Sequence, residues 1–189
     1  MHKQAIILLH EIYGVNEFMQ YQRRKFTAAG FDVFCPNLIR RPSFSYEESQ
    51  QAYNYFMEHI GFDVYKQVDA SIKQLKERYR KVFLVGFSIG ATVAFRCCEN
   101  TACDGIAACY GSRIRDYLSL NPVCPTLLLF SQEASFDVGQ VSALLKKKPC
   151  TNVLKFSAGH GFMDKGSKNY DKTAAKSAED AICGFFQNS

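Results

Sequence analysis

The chain has 189 residues, 47% of them hydrophobic and 22% charged, with a net charge of +5. That fits one domain over residues 1–189 whose core needs no staples, and it is an ordinary balance for a soluble globular protein. The positive residues are scattered, with short clusters at Arg23-Arg24-Lys25, Arg40-Arg41 and Lys146-Lys147-Lys148, which argues against a nucleic-acid partner, and no apolar run approaches the ~18 residues of a membrane span.

Short apolar runs alternate with helical patterns along the chain. Ala5–Leu9 reads as a buried strand, followed by a helix over about Glu17–Ala29 that Gly30 stops. Phe31–Cys35 reads as the next strand, and the stretch Tyr46–Arg80 holds two helices broken near Gly61. Then come a strand at Val82–Val85, a helix over Ile89–Asn100, and strands at Gly105–Tyr110 and Thr126–Phe130. A helix over Val138–Lys147, a strand at Val153–Phe156 and a helix over Tyr170–Gln187 complete the pattern. The strand runs are mostly continuous rather than alternating, as expected for strands covered on both faces. The reading is a mostly parallel sheet of about six strands with helices on both faces, its chemistry sited at the carboxyl ends of the strands.

Eight cysteines are present, several inside apolar stretches (Cys35, Cys109, Cys183). No C-x-x-C pair supports a structural zinc site, so no metal and no cofactor is expected. No signal-peptide pattern precedes the first strand, so the expected compartment is a reducing cytoplasm.

Gly86-Phe87-Ser88-Ile89-Gly90 stands between a strand and a helix. This is G-x-S-x-G in the context that gives it meaning. The serine sits on a tight, strained turn that lifts its hydroxyl above the sheet, and the flanking glycines let neighbouring backbone pass. The following helix favours negative charge at its amino end, which makes the Ile89 N–H an oxyanion donor. Ser88 is therefore the candidate nucleophile.

A serine needs a base. Of the four histidines, His2 is terminal, His59 lies on a helix, His10 ends the first strand, and His160 follows the last strand in Ser157-Ala158-Gly159-His160-Gly161-Phe162. The order nucleophile, acid, base selects His160. The acid belongs after Thr126–Phe130, where Glu133 and Asp137 both stand within reach, and spacing does not separate them. Glu11, after the first strand, falls near Ser88, and the Ile12 N–H is the second oxyanion donor. Tyr13, Tyr53, Phe56, Phe87 and Tyr110 are candidate walls of the substrate pocket.

Taken together, these segments resemble the dienelactone hydrolase family of the α/β-hydrolase superfamily. His10-Glu11-Ile12-Tyr13-Gly14-Val15-Asn16 is similar to the family's Q-E-I-F-G-V-N. Cys35-Pro36-Asn37-Leu38 is similar to its C-P-D-L, Val85–Ala91 to its nucleophile elbow, and Tyr110-Gly111 to its Y-Y-G stretch. The resemblance implies an α/β-hydrolase fold and hydrolysis of a small-molecule ester or lactone through an acyl-enzyme. Members best known for dienelactone use cysteine as nucleophile, with a glutamate at the Glu11 position that meets the thiol; here the nucleophile position holds Ser88. The family aspartate aligns with Ala134. The two arginines that bind the dienelactone carboxylate fall near Ser49 and at Asp164, so dienelactone itself is not the expected substrate. The expectation is a serine hydrolase, monomer or homodimer, with a hydrolase-fold binding protein and an acyl or thioester transferase as the alternatives.

Overall fold

The computed structural model describes residues 4–187, so His2 lies outside the described residues. Six parallel strands form one sheet in the order β2-β1-β3-β4-β5-β6. They are β1 (Gln4–Leu9), β2 (Asp32–Phe34), β3 (Lys81–Phe87), β4 (Gly105–Cys109), β5 (Thr126–Gln132) and β6 (Thr151–Gly159). The helices are α1 (Glu17–Ala28), α2 (Ser49–His59), α3 (Tyr65–Lys76), α4 (Ile89–Arg96), α5 (Val138–Leu145) and α6 (Lys172–Gln187).

Side chains alternate across a strand, so each strand feeds two cores. Ile7, Leu9, Val82, Leu84, Ile106, Ala108 and Leu128 face α3, α4 and α5, where Val68, Ile72, Phe95 and Leu145 meet them. Ile6, Leu8, Phe83, Val85, Ala107, Cys109 and Leu127 face α1 and α6, against Phe18, Met19, Phe26, Ile182 and Phe186. Helices thus cover both faces, and the apolar runs of β1, β3, β4 and β5 are continuous because both sides are buried. This is the α/β-hydrolase fold.

Local chemistry sets the boundaries. Asn16 caps α1 by accepting the Met19 N–H at 3.2 Å, and Gly30, at φ +96°, ends it. Gly61, at φ +65°, breaks the stretch after α2, as its position in the sequence suggested. The departures lie at the edges. β6 runs from Thr151 to Gly159, longer than the Val153–Phe156 expected, and most of it is half-buried or exposed, as suits an edge strand. A short 3-10 turn over Ser112–Tyr117, which no apolar pattern announced, follows β4. All eight cysteines are unpaired, five of them buried at α4, β4 and the turns around them. Among the described residues no helix is long and apolar enough to cross a membrane.

Candidate active site

Parallel pairing brings the strand ends together. Leu9 pairs with Gly86 and Phe87 with Cys109, so the residues just beyond β1, β3 and β4 converge on one spot. Ser88 sits there at φ 53°, ψ −116°, a conformation that costs an L-residue on the order of 1–3 kcal/mol. Its surroundings hold it in place. The Ser88 N–H donates to the Cys109 carbonyl at 2.9 Å. A Cβ on Gly86 would stand 2.7 Å from the Ala91 nitrogen, and one on Gly90 would stand 2.6 Å from the His10 carbonyl. The two glycines therefore let α4 fold back on β3 and pack under β1. Ile89 opens α4, so its N–H has no carbonyl one turn earlier to bond.

The Ser88 hydroxyl lies 2.8 Å from His160 Nε2, and His160 Nδ1 lies 2.7 Å from Glu133 Oε1. Register explains the second contact. β5 and β6 pair evenly to Phe130–Lys155, then slip, so that Gln132 pairs with Gly159. The next residues on the two strands are Glu133 and His160. The Ser131 hydroxyl also donates to Glu133 Oε1, at 2.6 Å. An ionised carboxylate only accepts, so Nδ1 carries the proton and Nε2 offers its lone pair to Ser88. Burial of the imidazole lowers its pKa, but the Glu133 hydrogen bond and charge, with Glu11 beyond, outweigh that and raise it above 6.5. Asp137 does not join this group. It is exposed and caps α5, accepting the Gln140 N–H at 3.0 Å. Of the two acids left open by spacing, the structure brings only Glu133 to His160.

Behind the serine lies a buried acidic pair. Glu11 is 5% exposed, its Oε1 has no hydrogen-bond partner, and it does not bond Ser88. Burial, reinforced by the nearby Asp164 charge and opposed by His160 and Tyr110, raises its pKa to about 7. Asp164 is buried too, accepting the Tyr46 hydroxyl at 2.6 Å and the Gly166 N–H at 2.8 Å. Asp164, at the position of one of the family's carboxylate-binding arginines, thus faces inward and holds Tyr46. His10 ties the loop to the following segment. Its Nε2 accepts the Leu38 N–H at 2.9 Å, and its Nδ1–H donates to the Glu11 carbonyl at 2.6 Å. Burial lowers the pKa of His10 to about 4, despite backbone hydrogen bonds that raise it, so it is a neutral strut.

Two lobes open from Ser88, both also bounded by Ile12 and His160. The larger, about 480 Å³, runs past Glu11, Tyr13, Tyr46, Ser49 and Lys168. The smaller, about 210 Å³, is bounded by Tyr53, Ile89, Thr92, Ser112, Arg113 and Glu133. Tyr13 and Tyr53 are thus wall residues, one in each lobe. Phe56, Phe87 and Tyr110 are not; each is fully buried. Phe56 faces inward from α2 onto Phe62. Phe87 points away from its neighbour Ser88, as strand alternation requires, and packs edge-on against Phe18. Tyr110 underlies His160, ring centroids 5.3 Å apart. The sequence reading missed Tyr46, Thr92, Arg113 and Lys168. Arg113, three residues past Tyr110, carried the available signal: a cation just after a strand end. Among the described residues no group of three or more His, Cys, Asp or Glu side chains is arranged to hold a metal.

The chain is similar to known proteins in sequence and in fold. The chain is 36% identical over 174 residues to the uncharacterized protein YczH of Bacillus subtilis (strain 168), covering 90% of this chain and 86% of that one. It is 23% identical over 188 residues to carboxymethylenebutenolidase 1 of Cupriavidus pinatubonensis, covering 89% and 79%. The solved dienelactone hydrolase of Anabaena variabilis superposes with a TM-score of 0.70 at 16% identity, covering 99% of this chain and 87% of that one. The model of the dienelactone hydrolase family matches residues 1–189, and the chain belongs to that family.

Proposed function

We propose that this hydrolase cleaves carboxylic esters or lactones through an acyl–Ser88 intermediate, with His160 as base and Glu133 as its acid partner. The observation that carries the reading is the continuous line Ser88 Oγ–His160 Nε2 at 2.8 Å and His160 Nδ1–Glu133 at 2.7 Å, at the junction of two lobes. As Ser88 attacks the carbonyl carbon, its proton passes to Nε2, and Glu133 stabilises the imidazolium. The carbonyl oxygen takes the charge between the Ile12 and Ile89 N–H groups, whose loss individually costs ~10²–10³ in rate. His160 returns the proton to the departing alkoxide. Water then attacks the acyl-enzyme, giving its proton to Nε2, and the acid leaves as Ser88 is restored. A hydroxyl is far less acidic than a thiol, so Glu11 cannot easily take the deprotonating part it plays toward a cysteine, and that part falls to His160. The buried carboxyl of Glu11 instead lies behind the oxyanion loop. With Ser49 and an inward-facing Asp164 at the positions of the family's carboxylate-binding arginines, dienelactone is not the substrate we infer.

Purified Ser88→Ala protein is expected to lose at least ~10³-fold in turnover of p-nitrophenyl acetate and to resist a fluorophosphonate probe that labels the parent. Retained turnover, or equal labelling of both proteins, would remove Ser88 from the mechanism. A parent that neither labels nor turns over would favour a binding role.

A further inference from the structure

We propose that the smaller lobe beside Ser88 is a carboxylate subsite built around Arg113, so that the enzyme takes esters whose acyl chain ends in a carboxylate a few carbons from the scissile carbonyl. This deepens the acyl–Ser88 reading and rests on it.

Arg113 is held on a firm platform. Tyr110 leaves β4 at φ 44°, and the chain folds at once into the turn Ser112–Tyr117. Ile114, fully buried, anchors that turn. A Cβ on Gly111 would stand 2.7 Å from Ile114 Cδ1 and 3.0 Å from the Ala91 Cβ, so the turn is packed down onto α4, the helix that begins at Ser88. The arginine therefore faces the lobe from an element tied to the nucleophile itself.

Its donors are largely unspent. Arg113 Nε lies 2.6 Å from Asp116 Oδ2, but its N–H is buried without an aligned acceptor. Asp116 is shared, with Arg115 Nε 3.9 Å from its other oxygen, so two arginines and one aspartate leave the turn net positive. Both partners of the Arg113 pair are about a third exposed, and such pairs hold weakly. A planar guanidinium with free donors matches a carboxylate two bonds at a time.

An independent observation points to a ligand in the same space. Thr92 is fully buried, its Oγ1 has no hydrogen-bond partner, and it lines this lobe. A buried hydroxyl left unpaired is costly, and a ligand oxygen would satisfy it. The carboxylate that borders this lobe, Glu133, has its Oε1 engaged by His160 and Ser131. The lobe also explains why the anion belongs to the acyl half. Ile12 and Ile89, the two oxyanion donors, both border it, whereas Ile89 does not border the larger lobe. Its volume of about 210 Å³ is that of roughly seven waters at ~30 Å³ each, room for a short chain and its carboxylate.

The test compares monomethyl glutarate with its neutral isostere, methyl 5-methylhexanoate, by pH-stat hydrolysis. The parent is expected to favour the glutarate ester in kcat/KM by roughly tenfold or more. Arg113→Gln should collapse that ratio toward one, with Arg113→Lys in between. A parent ratio at or below one, or a ratio unmoved by Arg113→Gln, overturns the subsite. A second arm titrates glutarate into Ser88→Ala protein by calorimetry. Binding that Arg113→Gln weakens at least ~tenfold supports the subsite even where no ester is turned over, which separates it from failure of the acyl-enzyme reading. Binding independent of Arg113, or none at all, counts against it.

Discussion

Glu133 and Glu11 both act on the charge of His160, from opposite kinds of surroundings. Glu133 stands at a strand end, taking the Ser131 hydroxyl and the His160 ring on one oxygen. Glu11 is sealed behind Ser88 with Oε1 unpartnered and Asp164 nearby, and its pKa rises to about 7. A carboxylate is kept ionised by donors and neutralised by burial and like charge, so one residue type takes two roles from environment alone. Glu133 serves as the hydrogen-bond partner that orients the imidazole. Glu11, with its pKa raised to about 7, releases its proton within the neutral range, and that release adds charge near His160.

The contrast breaks most readily at Glu133. Replacing it with Gln puts an amide opposite Nδ1, which favours the tautomer whose Nε2–H faces Ser88 and cannot take its proton. The expected loss is roughly 10³–10⁴-fold in kcat for p-nitrophenyl acetate. The pH profile supplies a second readout. The base must be neutral, so the rate rises with pH through the His160 pKa, which Glu133 helps to hold above 6.5. Without that charge the acid limb should move to lower pH. A loss under about tenfold, or an unmoved limb, would mean that Glu133 does not support His160.

Glu11→Gln should act on the opposite quantity. The folded pKa of about 7 lies above the ordinary 4.5. The protonated form therefore suits the fold, and its contribution is complete below pH 4.5 and lost as pH rises from 4.5 to 7. A neutral amide removes that loss. Above pH 7 the variant should gain up to on the order of 3 kcal/mol over the parent in urea unfolding, with little difference at pH 4.5. Its kcat should fall less than about tenfold. A variant less stable at pH 8 than the parent would show that Glu11 is ionised and favourably placed.

The two carboxylates also mark where sequence stops being informative. Ser88 was legible because the elbow is a steric requirement written in Gly86 and Gly90, and both close approaches are found. His160 was legible from its place after the last strand. The choice of Glu133 over Asp137 was not, because it depends on the slip that pairs Gln132 with Gly159, a tertiary event with no local signature. Phe87 as a pocket wall was avoidable, since a strand residue beside an upward-pointing Ser88 must point elsewhere. Arg113 was marked only as a cation just after a strand end: the turn Ser112–Tyr117 that aims it is set by Ile114 packing on α4, and its residues carry no periodic pattern.

Asp137 is the smallest lever and isolates position from chemistry. It lies four residues beyond Glu133, is likewise a carboxylate, and differs in what it touches: the Gln140 N–H at the start of α5. Asp137→Ala should remove an N-cap worth ~1 kcal/mol, read as a lower urea midpoint with unchanged slope. The kcat and its pH profile should stay within about twofold, because α5 packs on the face of β5 and β6 through Val141 and Leu145 rather than at the strand ends. A loss of rate comparable to that of Glu133→Gln would mean that the loop after β5 rearranges to bring Asp137 to His160, and the division of roles between these acids would then have to be redrawn.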